Sequence, residues 1–165
     1  MSIKVFTTGG TIDKIYFDAN SEFQVGDPQI SRALQEAQVG LEIEIEPILR
    51  KNSLDLLEED RQLIRAFVER EPANHILLTH GTDTMIQTAL WLEQIPGKTI
   101  VLTGALQPAS LRVSDAFFNI GFALAAVQLL APGVYIAMHG RVFDPRRTIK
   151  NRTLNRFEEQ LPEEP

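Results

Sequence analysis

An α/β fold, a parallel sheet covered by helices on both faces in three layers, is what this sequence predicts. Three observations carry that expectation. Short β-like runs alternate with helical patterns along the chain, the signature of βαβ units. The runs "HILLT" and "TIVLT" are continuously apolar, as strands buried on both faces require. Finally, the apolar runs give way to Thr or His and then Gly, so their polar ends line one edge of such a sheet.

The elements follow in order. Ile3–Thr8 is the first strand, and a helical pattern occupies about 28–38. Leu41–Leu49, "LEIEIEPIL", alternates apolar and polar residues, so one of its faces is polar. Pro47 has no N–H to give a ladder and points to an edge strand. The next helix, 57–70, sets Leu63, Ile64, Phe67 and Val68 at helical spacing with charges opposite. In "DLLE" at 55–58, Asp precedes Glu by three residues, which marks its start.

His75–Thr79 is the third strand, 83–95 a helix, Thr99–Thr103 the fourth strand, and Val134–His139 the fifth. Between the last two lies a helix at 114–131, with Ser114 or Asp115 as its cap. Its stretch "AFFNIGFALAAVQLLA" is apolar nearly all round. A spanning helix needs about 20 such residues. This run is shorter, contains Asn119 and Gln128, and meets Pro132, so it reads as a buried helix whose outer side is an interface. Residues 12–27 show no clean period and read as a mobile lid; "RFEEQLPEEP" reads as a terminal helix and loose tail. The sheet is expected to be of the Rossmann-like/flavodoxin-like kind.

Composition narrows the function. A chain of 165 residues is one domain's worth, residues 1–165. A net charge of −6 argues against nucleic-acid and anionic-membrane partners. Without cysteine there is no disulfide, thiol or cysteine–zinc chemistry. Met1 leads almost directly into an apolar run with no basic region before it, so a cytoplasmic location is expected.

The strand ends read "TTGGT", "LTHGTDT", "LTGA" and "MHGR". Gly9, Gly10 and Gly81 permit tight turns and close approach of backbone N–H groups to a ligand, or serve simply as strand-to-helix turns. Thr11 and Thr82 each follow such glycines. A threonine is stiff at χ1 and can act as a nucleophile when a neighbour relays its proton. It is also an ordinary strand or cap residue, a reading that two in matching places, one followed by Asp83, weaken. Asp83 suits either a helix N-terminus or an ammonium group. His80 and His139 have no metal-ligand spacing partner and read as turn supports. "RVFDPRRTIKNRT" carries four arginines and Lys150; most of these read as solvated surface charges, but a lysine entering the cleft would serve as a base.

Together "TTGGTIDK" and "ILLTHGTDTM" resemble the two signature segments of the bacterial-type L-asparaginase/glutaminase family. The likeness continues through "LTGALQPASLRVSDAFFNI" to Lys150 and covers nearly the whole chain. Members usually join this α/β domain to a smaller second one, so the chain resembles a short-chain member or an isolated amino-terminal domain.

The resemblance implies Thr11 as primary nucleophile and Thr82 with Asp83 and Lys150 as a second threonine and its relay. It implies Tyr16 as the lid tyrosine, although it stands closer to Thr11 than in most members. Ser53 in "NSLDL" would hold the substrate α-carboxylate and Asp83 the α-ammonium. Gly10 and Gly81 would border the substrate, and the carbonyl of Ala105 would accept from the amide. Leu54 replaces the family's glutamine. The residues that a second domain lends to a neighbouring site have no counterpart here. Both departures weaken recognition of the substrate ammonium.

The implied reaction is hydrolysis of L-asparagine, with no metal or organic cofactor, in a homodimer or higher homo-oligomer. L-glutamine is the rival substrate, and an amidotransferase-type, ammonia-producing subunit the rival setting. A non-catalytic amino-acid-binding domain is the rival class. It would not need Thr11, Thr82, Asp83 and Lys150 together.

Overall fold

Apolar runs become strands and amphipathic runs become helices in the expected order, in a computed structural model that describes residues 1–160. β1 (Ser2–Gly9) leads into a hairpin of β2 (Lys14–Phe17) and β3 (Glu22–Val25), then α1 (Ile30–Glu36) and β4 (Glu42–Lys51). α2 (Glu58–Arg70), β5 (His75–Thr79), α3 (Met85–Leu92), β6 (Thr99–Thr103) and α4 (Ala116–Leu129) follow. β7 (Gly133–Met138), β8 (Arg141–Phe143), β9 (Thr148–Asn151) and β10 (Arg156–Glu159) complete the described chain.

The main sheet has six strands in the order β4-β1-β5-β6-β7-β8. Its first five are parallel, and β8 returns antiparallel to β7. Counted along the chain, the parallel strands stand second, first, third, fourth, fifth, the flavodoxin-like arrangement. β4 is an edge strand, as Pro47 predicts. Its polar residues have a use: Lys4 of β1 is buried with its Nζ 2.5 Å from Glu44 and 2.8 Å from Glu46.

Strand alternation divides the apolar residues between two faces. Val5, Leu77, Val101 and Ala137 meet α1 and α4 through Ile30, Ala33, Ile120 and Val127. Phe6, Leu78, Leu102 and Ile136 meet α2 and α3 through Ile64, Val68, Met85 and Leu92. Each fully buried Leu or Ile contributes about 1.5–3 kcal/mol.

On α4 a stripe of Ala116, Ile120, Ala123, Leu124 and Val127 is buried, while Phe118 is 61% and Leu129 84% exposed. Asn119 explains the polar break in that helix. Its amide donates to the Gly104 carbonyl at 3.0 Å and accepts from the His139 N–H at 3.0 Å, tying together the ends of β6 and β7. Among the described residues no helix is long and apolar enough to cross a membrane.

Three expectations are corrected. Residues 12–27 are not patternless, since a β-hairpin forms within them. Residues 156–159 form strand β10, not a helix, because Phe157 is buried beside Phe143, their rings 6.2 Å apart; residues 161–165 lie outside the described residues. Helix α2 starts at Glu58, and it is Asp60 that reaches back to the Leu57 N–H at 2.9 Å, in place of an Asp55–Glu58 start. At the end of β7, His139 and Gly140, both at positive φ, turn directly into β8.

Candidate active site

The sheet's switch point lies at the carboxyl end of β1, between β4 on one side and β5 on the other. There the chain is drawn very tight. Gly10, at φ 85°, gives its N–H to the Lys51 carbonyl at 2.9 Å. A Cβ on it would stand 2.5 Å from the Cα and N of Gly81, so only glycine fits. A Cβ on Gly81 would stand 2.6 Å from the Ser53 Cβ. Three loops, after β1, β4 and β5, thus come together with their backbones in close approach.

Thr11 opens a short 3₁₀ turn, Thr11–Asp13, closed by the Asp13 N–H on the Gly10 carbonyl at 3.2 Å. Thr82 and Asp83 follow Gly81. Lys150 reaches them from β9, donating to Thr82 Oγ1 at 2.8 Å and to Asp83 Oδ1 at 2.7 Å. Thr84 Oγ1 donates to the Ser53 carbonyl at 2.8 Å and fixes that loop. A cavity of about 280 Å³ is lined by Gly10, Thr11, Lys14, Ser53, Gly81 and Asp83, with Asn52, Leu54 and Asp55 on the same wall.

His80 braces the loop from below. Burial pushes its imidazole down to about 4, so the ring is neutral. Nδ1–H then donates to the Gly81 carbonyl at 2.7 Å, and Nε2 accepts from the Thr88 hydroxyl at 2.8 Å. Other strand-end hydroxyls are staples: Thr8 donates to the Thr79 carbonyl at 2.9 Å and Thr103 to the Ala137 carbonyl at 2.8 Å. Burial pushes the Asp13 carboxyl up to about 7, against the opposing pull of the Gln29 N–H and Arg50.

The structure brings Thr11, Gly10, Ser53, Gly81 and Asp83 to one cavity and joins Thr82 and Lys150 to Asp83. Two expected residues stand apart. Tyr16, on β2, is 52% exposed and packs edge-on against Phe23 at 5.6 Å. Ala105 is buried in the core under α4 and does not line the cavity. Lys14, Asn52 and Asp55 line it without having been singled out. Lys14 reaches the cavity because it closes the short turn that Thr11 opens, a turn no local spacing announced.

Over residues 2–160 the chain matches the family described as Asparaginase, N-terminal. It is 30% identical over 163 residues to the L-asparaginase of Thermococcus kodakarensis, covering 93% of this chain and 49% of that protein. It is also 30% identical over 115 residues to the Glutaminase-asparaginase of Acinetobacter glutaminasificans, covering 67% of this chain and 34% of that one. The solved structure of the thermostable L-asparaginase from Thermococcus kodakarensis superposes with a TM-score of 0.83 at 29% identity, covering 96% of this chain and 51% of that chain. The chain therefore spans about half the length, or less, of these relatives.

Proposed function

The chain belongs to the asparaginase family, and on that premise we propose that it hydrolyses L-asparagine to L-aspartate and ammonia through an acyl-enzyme on Thr11. The observation that carries this reading is the Lys150 ammonium. It comes from 67 residues along the chain to bond both Thr82 and Asp83 beside the cavity that Thr11 lines. An ammonium shared between a hydroxyl and a carboxylate makes a relay that can follow a proton on and off Thr82.

In this reading the Thr11 hydroxyl attacks the carboxamide carbon. The amide nitrogen takes up the proton and leaves as ammonia, and water then cleaves the ester to release aspartate. Ser53 and Asp83 hold the α-carboxylate and α-ammonium. Gly10 and Gly81 let the substrate lie against backbone. Tyr16 would join Thr11 only after the hairpin closes, since it stands outside the cavity lining here.

The likeness to a glutaminase-asparaginase keeps glutamine in view. Asparagine and glutamine differ by one methylene, which a pocket separates by roughly 10–200-fold. Ammonia release from each, by the wild type and by Thr11→Ala, tests the proposal. Turnover of asparagine in preference to glutamine, lost in the variant, is expected. Near-normal release by Thr11→Ala would overturn the mechanism.

A further inference from the structure

We propose that Lys14 is the electrostatic receptor for the substrate's α-carboxylate, so that the cavity selects free amino-acid carboxamides over carboxamides lacking that group. This inference rests on the amidohydrolase reading and assigns the specificity of the same site.

Three lysines stand in or beside the cavity, and their commitments differ. Lys150 is bound to Thr82 and Asp83. Lys51, at the end of β4, is bound to both oxygens of Asp60 at 2.8 and 2.9 Å. Lys14 lines the cavity and, among the described residues, takes part in no ion pair. It is half-buried. An ammonium that lines a cavity with no carboxylate bound to it is free to pair with an anionic group of a ligand there.

Its backbone is held on both sides. The Lys14 N–H donates to the Thr11 carbonyl, and the Lys14 carbonyl accepts from Ser110 Oγ at 2.8 Å. Thr11 opens the 3₁₀ turn and Lys14 closes it, and both line the same cavity. The rest of the wall complements a zwitterion. Ser53 offers a hydroxyl, and Asp55 and Asp83 offer carboxylates for an ammonium. A carboxylate near Lys14 and Ser53, with the ammonium toward the acids, sets the carboxamide beside Thr11.

The test compares L-asparagine with β-alaninamide, which keeps the ammonium and the carboxamide but lacks the α-carboxylate. In the wild type asparagine should be strongly preferred in kcat/KM. Lys14→Met should lower that preference about 10- to 100-fold, the worth of one charge-assisted contact, mostly through KM. Lys14→Arg should restore most of it. Circular dichroism and urea unfolding check that each variant folds.

Calorimetric binding of L-aspartate and β-alanine reads the same contact without turnover. Aspartate binding that weakens in Lys14→Met while β-alanine binding does not supports the proposal, even if no substrate is hydrolysed; in that event the amidohydrolase reading alone fails. Asparagine turnover with an unchanged substrate preference in Lys14→Met, or a loss confined to kcat, overturns the proposal and leaves the amidohydrolase reading standing.

Discussion

Replacing Asp13 by asparagine should stabilise the protein at neutral pH, and the gain should fade in acid. The side chain is 2% exposed, and its Oδ1 accepts the Gln29 N–H at 2.8 Å. The nearby cation, Arg50, is engaged by the exposed Asp27 at 2.7 Å. Burial therefore dominates and raises the carboxyl from 3.8 to about 7. A rise of that size corresponds to about 4 kcal/mol of cost for holding the charged form in the fold.

The sign follows from proton counting. Between 3.8 and about 7 the unfolded chain has lost this proton and the folded chain keeps it. Stability is therefore lost as pH rises through that window, and the deficit is constant above it. Asparagine keeps an acceptor for Gln29 and cannot ionise. Urea unfolding of both proteins from about pH 4 to about pH 8 isolates this group, because other titrations cancel in the difference. The advantage of Asp13→Asn should grow across the window by up to about 4 kcal/mol. A difference that does not change with pH would refute the reasoning.

Further outcomes are expected. Thr82→Val should cut ammonia release by several orders of magnitude with an unchanged urea midpoint, because it removes the hydroxyl on Lys150 and leaves the backbone alone. Gly10→Ala should lose both stability and activity, measured by urea unfolding and ammonia release, since its Cβ forces Gly81 away from a backbone at φ 85°. Limited proteolysis within 12–27 should slow at saturating aspartate if the hairpin closes over ligand; an unchanged rate refutes closure. Phe118→Asp should dissociate a homodimer built on the outer face of α4, and a stable, active wild-type monomer in sedimentation would refute that assembly.

The elements that built the sheet were the legible ones. "HILLT" and "TIVLT" could be little else than central strands, and Pro47 marked its edge correctly. Thr11, Ser53, Gly81 and Asp83 converge because strand ends in a parallel sheet share one edge, a rule of topology that sequence can express. What failed depended on tertiary partners. "RFEEQ" is rich in helix formers, yet the burial of Phe157 against Phe143 makes its first part a strand. The hairpin in 12–27 buries no residue of β2 or β3 fully, so no burial pattern marks it. The turn at His139–Gly140 was hidden because His-Gly is not among the Asn-Gly and Asp-Gly pairs that announce a hairpin, although both residues take positive φ. Asp13 went unnoticed because the N–H that its carboxylate accepts, that of Gln29, lies 16 residues along the chain, which no local spacing encodes.

The contact of Gly10 with Gly81, and of Gly81 with Ser53, has a consequence for how this pocket can change. Its floor is glycine backbone packed on its neighbours, with no room for a larger side chain. Neither selection nor a designer can widen, narrow or recharge that floor by substitution without parting the strands beneath. Variation is left to the other side chains of the wall, among them Lys14, Asn52, Leu54 and Asp55. Under the function proposed above, a library limited to those four positions would alter which carboxamide is admitted while Thr11, Thr82 and Lys150 stay where the backbone holds them. The chemistry is thereby insulated from the evolution of substrate choice.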